Sequence, residues 1–220
     1  MTEIFHLRTD LSHVRLRDRP LVVCDVDDVV LHFVAPFQDF LRGEGHELLP
    51  RSFRLTGNII STQTRIALEQ GDVRRLVEAF FEAQESWQFP FDLVVQTLEA
   101  LGRDADVVFL TAMPPLYQEH RRRLLDRLGL AFPLIASEEP KGPIVQRLHA
   151  ARPLPSIFID DMAHNLHSVR DHLAQCLLLH MMPDSPLHVL APKPAEDIVR
   201  AIDWPHAAQL IRAHIRSGAA

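Results

Sequence analysis

The chain has 220 residues, 47% of them hydrophobic and 24% charged, with a formal net charge of −6. That length allows a sizeable core, as one α/β domain with an insertion or as two small domains. The mildly negative balance and the absence of a dense basic patch argue against nucleic acid as a partner. No apolar run is long enough to span a membrane.

Residues 1–20 are polar and basic without clear periodicity and read as a lead-in. They show no signal-peptide pattern. Residues 21–26 are short, apolar and β-branched, the signature of a buried strand in a parallel sheet. The run ends in Asp25, Asp27 and Asp28. Residues two apart on a strand face the same way, so Asp25 and Asp27 are expected on one side and Asp28 on the other. In open α/β sheets the ligand crevice lies outside the carboxyl ends of the strands. Carboxylates this close repel one another unless a cation lies between them, and oxygen ligands of this kind suit Mg²⁺. A solvated acidic turn closing the strand fits the same residues.

From Leu31 to about Phe91 the pattern turns helical, with Val34, Phe37, Phe40 and Leu41 at helical spacing. Stretches 59–68 and 73–81 follow suit, and Gly43, Gly45, Pro50 and Gly71 separate the segments. An amphipathic helix is expected over 91–101 and a second core strand over 106–111. A βαβ crossover with its strands needs only about 30 residues, so roughly 50 are surplus after the acidic strand end. The surplus reads as a helical lid over the crevice. Beyond Thr111 the expected order is a helix over 117–128, a strand over 132–136 and a helix from Lys141. A strand over 155–161 ending in Asp160 and Asp161 follows, then a helix over 165–174, a fifth strand over 175–180 and a helical tail over 195–215. The Arg121–Arg123 run reads as a solvated helix face. Cys24 and Cys176 lie in apolar runs and read as buried free thiols, in keeping with a reducing, cytoplasmic setting. Lys141 and Lys193 are the only lysines in an arginine-biased chain.

Parallel strands deliver their carboxyl ends to one sheet edge, so Asp25/Asp27, Thr111, Lys141 and Asp160/Asp161 can converge. A metal between the carboxylates, a lysine and a hydroxyl are equipment for phosphoryl transfer, where positioning and charge stabilisation dominate. Each residue also has a plainer use. Thr111 could cap the next segment, Lys141 could be an ordinary surface lysine, and Asp160/Asp161 could cap a helix.

The ordered set, with its strand context and its insertion, resembles the haloacid dehalogenase-like (HAD) superfamily, over about 21–30 and 105–180. The resemblance implies a Rossmann-like α/β core of five parallel strands with helices on both faces, formed by residues 1–30 and 92–220. A small α-helical cap is inserted at 31–91. It implies a Mg²⁺-dependent phosphatase in which Asp25 is nucleophile and metal ligand. Asp27 is general acid/base, its backbone carbonyl on the metal. Thr111 and Lys141 hold the phosphoryl oxygens, Asp160 binds Mg²⁺, and Asp161 binds the metal or orients a metal-bound water. Asp27 disfavours the dehalogenase branch, which lacks that acid/base. The absence of lysine from 30–105 disfavours phosphonate cleavage through a Schiff base. The expected substrate is a small phosphomonoester, nucleotides included, and a phosphomutase or a non-catalytic binding protein of the same fold are the alternatives. Arg54 is the chosen substrate contact in the cap, among Gln38, Arg42, Asn58 and Arg65, since an arginine can hold a second anionic group. Phe33, Phe37 and Phe40 are expected to pack the lid rather than stack on a base. Oligomeric state is not legible.

Overall fold

The computed structural model describes residues 8–218; the first seven residues of the expected lead-in lie outside them. Strand β1, Leu21–Cys24, is fully buried at the centre of the sheet. It pairs in parallel with β4, Asp106–Thr111, on one side and with β6, Ser156–Asp160, on the other. Leu21 stands opposite both Asp106 and Ser156, so the three strands start level. Strand β5, Leu134–Ala136, lies outside β4, while β7, Leu177–His180, and β8, Val199–Arg200, lie outside β6. The sheet therefore has six parallel strands, in the order β5-β4-β1-β6-β7-β8, rather than the five expected.

The sixth strand was hidden by its spacing. Ala195, Ile198 and Ala201 recur every three residues and imitate a helical stripe. The helical tail, α7, instead spans Trp204–Gly218, and Asp203 caps it by accepting the His206 N–H at 2.7 Å.

Alternation along each strand sorts the core into two layers. Val22, Cys24, Val107, Phe109, Ile157 and Ile159 face α3, Val94–Leu101, and α7. Leu21, Val23, Val108, Leu110 and Phe158 face α5, Lys141–His149, and α6, Ala163–His172. Both cysteines are buried free thiols, and burial pushes the Cys176 thiol up to about 12. No helix among the described residues is long and apolar enough to cross a membrane.

Between β1 and α3 the chain builds a second, separate core. Helix α1, Val34–Gly43, and helix α2, Gln70–Trp87, pack Phe37, Phe40 and Phe80 together, with Trp87 edge-on to Phe40. The phenylalanines Phe37 and Phe40 thus serve packing. Residues 59–68 do not form the expected helix. Ile59–Ser61 (β3) pairs antiparallel with His46–Leu48 (β2), and Arg65 sits in the turn that follows with φ +60°. The Ile-Ile pair is β-branched, and the Ser/Thr run after it competes for backbone hydrogen bonds, so a strand and turn win. The insertion is joined to the sheet by two antiparallel connections. The His32 N–H donates to Phe89 O at 2.9 Å, and the Phe91 N–H donates to Val30 O at 3.0 Å.

Candidate active site

Asp25 follows the last residue of β1 and still hydrogen-bonds the sheet, its N–H donating to Ile159 O at 2.9 Å. Strand geometry stops there. The Asp28 N–H turns back onto Leu31 O at 2.7 Å, and Asp28 itself has φ +57°. The strand rule that placed Asp25 and Asp27 together therefore does not reach Asp27, and the two carboxylates join different networks.

Asp25 belongs to a buried cluster with Asp160 and Asp161, whose carboxylate oxygens lie within 4.8 Å of one another. Lys141 enters it from the first residue of α5, its Nζ 2.5 Å from Asp25 Oδ1 and 2.6 Å from Asp160 Oδ2. The ammonium is brought in by close packing of α5 on α6. A Cβ on Gly142 would lie 2.2 Å from the Ser168 carbonyl oxygen, so only glycine permits this approach. Asp160 is saturated with donors: Met162 N–H at 2.8 Å, Asn165 Nδ2 at 3.0 and 3.2 Å, and Lys141. It thus also makes the helix-start contact that was its plainer reading. The second oxygen of Asp25 and both carboxylate oxygens of Asp161 accept no hydrogen bond among the described residues, although Asp161 is 6% exposed.

Three carboxylates and one ammonium leave two net negative charges in a buried space. The electrostatics follow. Burial, set against the nearby Lys141 and reinforced by Asp160 and Asp27, pushes the Asp25 carboxyl up to about 7. Burial and the neighbouring Asp160 and Asp25 carboxylates push Asp161 well above the usual range. Burial would lower Lys141, but the Asp160 and Asp25 carboxylates outweigh it and hold the ammonium protonated. A divalent cation would supply the missing charge, and the carboxylates of Asp25, Asp160 and Asp161 are the hard oxygen ligands it prefers. The residues fit Mg²⁺ on these grounds.

Asp27 lies outside that cluster. Its Oδ1 accepts from Gln88 Nε2 at 2.8 Å and from Arg121 at 2.9 Å, and its Oδ2 accepts from Arg121 at 3.2 Å and Thr111 Oγ1 at 3.3 Å. Thr111 is 1% exposed and turned toward Asp27. Asp28 accepts the N–H groups of Phe33 and Val34 at the start of α1 and meets His188 Nε2 at 3.3 Å. Its role is structural: it fixes the entry to the insertion.

A cavity of about 320 Å³ separates the cluster from the insertion. Asp25, Asp27, Lys141 and Asp161 lie on its wall, with Phe33, Phe81, Met113 and Leu187 making much of the rest. Arg54 reaches it from the 49–58 loop, which Asn58 holds by donating to Ser52 O and Arg54 O. Arg42 and Arg65 are committed elsewhere, to Asp39 and Glu47, and neither lines the cavity. Gln84, Gln88 and Arg121 are the functional candidates that sequence reasoning missed. The signal available was the pair of glutamines one helical turn apart; Arg121 looked like its exposed neighbours.

Neither a family model nor a curated protein matches the sequence. Solved structures do, at low identity. A haloacid dehalogenase-like hydrolase from Streptococcus pneumoniae is 14% identical with TM-score 0.56, over 89% of this chain and 98% of that one. A predicted phosphoglycolate phosphatase from Haemophilus somnus is 12% identical with TM-score 0.56, over 90% and 98%. A HAD family hydrolase from Deinococcus radiodurans, with bound phosphate and sodium, is 13% identical with TM-score 0.56, over 92% and 97%. The fold is therefore that of the haloacid dehalogenase-like hydrolases.

Proposed function

We propose that this chain is a Mg²⁺-dependent phosphomonoester hydrolase that works through an aspartyl-phosphate on Asp25, with residues 31–91 as its cap. The observation that carries this is the state of Asp25. One oxygen is held by Lys141 at 2.5 Å, the other has no donor among the described residues, and the carboxylate lies on the wall of the cavity. A nucleophile needs that combination of fixed orientation and a free lone pair.

In the first half-reaction the free Asp25 oxygen attacks phosphorus, and the bond from phosphorus to the ester oxygen breaks. Asp27 gives its proton to the departing alkoxide, so the alcohol leaves neutral. In the second, Asp27 takes a proton from water, the resulting hydroxide attacks the same phosphorus, and Asp25 departs as a carboxylate with inorganic phosphate. Lys141 holds Asp25 in line and offers positive charge to the phosphoryl oxygens. Asp160, with Met162 N–H and Asn165 fixing it, orients Lys141 in turn. Asp25, Asp160 and Asp161 would hold Mg²⁺, with the Asp27 backbone carbonyl as a further ligand, and the ion would neutralise charge on the phosphoryl group. Thr111 acts on Asp27 as well as being a candidate phosphoryl contact. Arg54 would meet a second anionic group of the substrate. The cavity volume stands at the small end for ligand sites, which favours a compact phosphomonoester.

Hydrolysis of an aryl phosphate with and without Mg²⁺, by wild type and Asp25→Asn, tests the proposal. Metal-dependent phosphate release that the substitution abolishes is expected. Folded wild type that binds Mg²⁺ and turns over no phosphomonoester in a broad screen would overturn it. Phosphoryl transfer to an added sugar in preference to water would replace hydrolase by mutase.

A further inference from the structure

We infer that Arg121 is a positioning residue, which fixes the Asp27 carboxylate for proton transfer and ties it to the hinge of the inserted segment. The inference rests on the reading of Asp27 as general acid/base.

Arg121 belongs to α4, Gln118–Arg127, in the sheet domain, and is 0% exposed, unlike Arg123 beside it. Its only carboxylate partner among the described residues is Asp27, reached through one terminal nitrogen at 2.9 and 3.2 Å. That nitrogen also donates to Gln88 Oε1 at 3.1 Å, and Nε donates to Gln84 Oε1. Both glutamines are buried at the end of α2, and Gln88 donates in turn to Asp27 Oδ1 and to His32 O at 3.0 Å. His32 and Phe89 form one of the two connections through which the insertion joins the sheet. One terminal nitrogen thus holds both the reactive carboxylate and Gln88, and Nε holds Gln84, while the second terminal nitrogen is buried without a partner among the described residues.

A buried guanidinium is expensive, and apolar residues of similar volume often serve packing as well or better. The charge here has a specific use: it keeps Asp27 oriented. The two Asp27 oxygens are held unequally. Oδ1 has two donors within 2.9 Å, whereas Oδ2 has only contacts of 3.2 and 3.3 Å. Oδ2 is therefore the oxygen left to carry the proton that passes to the leaving oxygen and is later taken from water, and Oδ1 is the anchor. A hinge movement that carries Gln88 away removes one of the two anchors, so the posture of Asp27 follows the position of the insertion.

The test is a mutant cycle on Mg²⁺-dependent aryl phosphate hydrolysis, with Arg121→Met and Gln88→Met each made alone and with Asp27→Asn. Misplacing a catalytic group by about 1 Å costs on the order of 100-fold. Arg121→Met is expected to lower kcat by about that factor while leaving KM within about threefold. In the Asp27→Asn background it should cost nothing more, because there is no acid/base left to misplace. Gln88→Met, which keeps the guanidinium, should give a smaller kcat loss with the same non-additivity, and it carries the test alone if Arg121→Met does not fold. An active wild type, an impaired Asp27→Asn and an Arg121→Met or Gln88→Met effect that is equal in both backgrounds, or confined to KM, would overturn the inference while leaving the proposed function standing. Asp27→Asn as active as wild type would overturn the acid/base reading and this inference with it.

Discussion

Asp25→Asn should make the metal-free protein more stable at pH 8, although it removes an ion pair. The Asp25 carboxyl is raised from 3.8 to about 7 because burial, with Asp160 and Asp27 nearby, outweighs the attraction of Lys141. Below pH 4 the group is protonated folded or unfolded and costs nothing. Between about 4 and 7 the unfolded chain ionises first, so stability falls as pH rises, by up to about 1.4 kcal/mol per pH unit. Above 7 the full cost is present, about three pK units or about 4 kcal/mol as a ceiling. Asparagine avoids that cost but leaves Lys141 balanced by Asp160 alone, so a net gain of about 1–2 kcal/mol is expected. For a chain of this size that is a melting temperature higher by about 2–8 °C. Thermal unfolding in EDTA at pH 8 and pH 4.5 reads it, and the difference should shrink at the lower pH. Added Mg²⁺ should reverse the order, since at a hundred times its dissociation constant a native-state ligand stabilises by about 2.7 kcal/mol and the variant has lost a ligand. Asp25→Asn less stable than wild type at pH 8, with the same deficit at pH 4.5, would refute the account of a charge-strained site that a cation relieves.

Three further outcomes are expected. Lys141→Met leaves Asp25 and Asp160 without their shared cation, and should cost about 3–5 kcal/mol in denaturant unfolding and abolish turnover; wild-type stability would show that the carboxylates do not depend on it. Gly142→Ala forces the Ser168 carbonyl away from a 2.2 Å contact, so α5 must shift and carry Lys141 with it. A loss of about 1–3 kcal/mol with a disproportionate fall in kcat is expected, measured by unfolding and by hydrolysis on the same samples. Trp204→Ala empties a site 2% exposed and strands the Val29 carbonyl, which Trp204 Nε1 now satisfies at 3.0 Å. It should cost about 3–5 kcal/mol by calorimetry, and less than 1 kcal/mol would mean that α7 is not anchored there.

The central strands were legible because β1, β4 and β6 are buried on both faces, and burial on both faces writes itself as short apolar β-branched runs. The clustering of polar side chains at their carboxyl ends was legible for a related reason. Asp25, Lys141, Asp160 and Asp161 are polar residues abutting apolar segments, and a parallel sheet places all such junctions on one edge. Where a pattern had two readings, the sequence did not choose. Residues 195–201 keep a three-residue spacing and yet contain β8, because the edge beside β7 is open and pairing there satisfies backbone groups that a short helix would leave exposed. Residues 59–61 pair with 46–48 because the hairpin buries Ile59 and Leu48 in the insertion's own core and leaves Ile60 buried as well.

By itself the sequence determined the parallel α/β class of the sheet with helices on both faces, the surplus of residues that follows β1, and which four strand or helix ends carry polar side chains. These are local matters, set by hydrophobic period and by the polar residue at each boundary. Only the tertiary structure decided how those residues divide their work: Asp25 with Lys141, Asp160 and Asp161 in one charge cluster, Asp27 with Thr111, Gln88 and Arg121 in another. The division depends on partners 61 and 94 positions from Asp27. The fate of Arg121 shows why no local pattern could reveal it. Arg121 and Arg123 belong to one run on one helix, and only the position of α2 across that helix determines that Arg123 is exposed while Arg121 is buried and holds the half-buried Asp27 carboxylate in place.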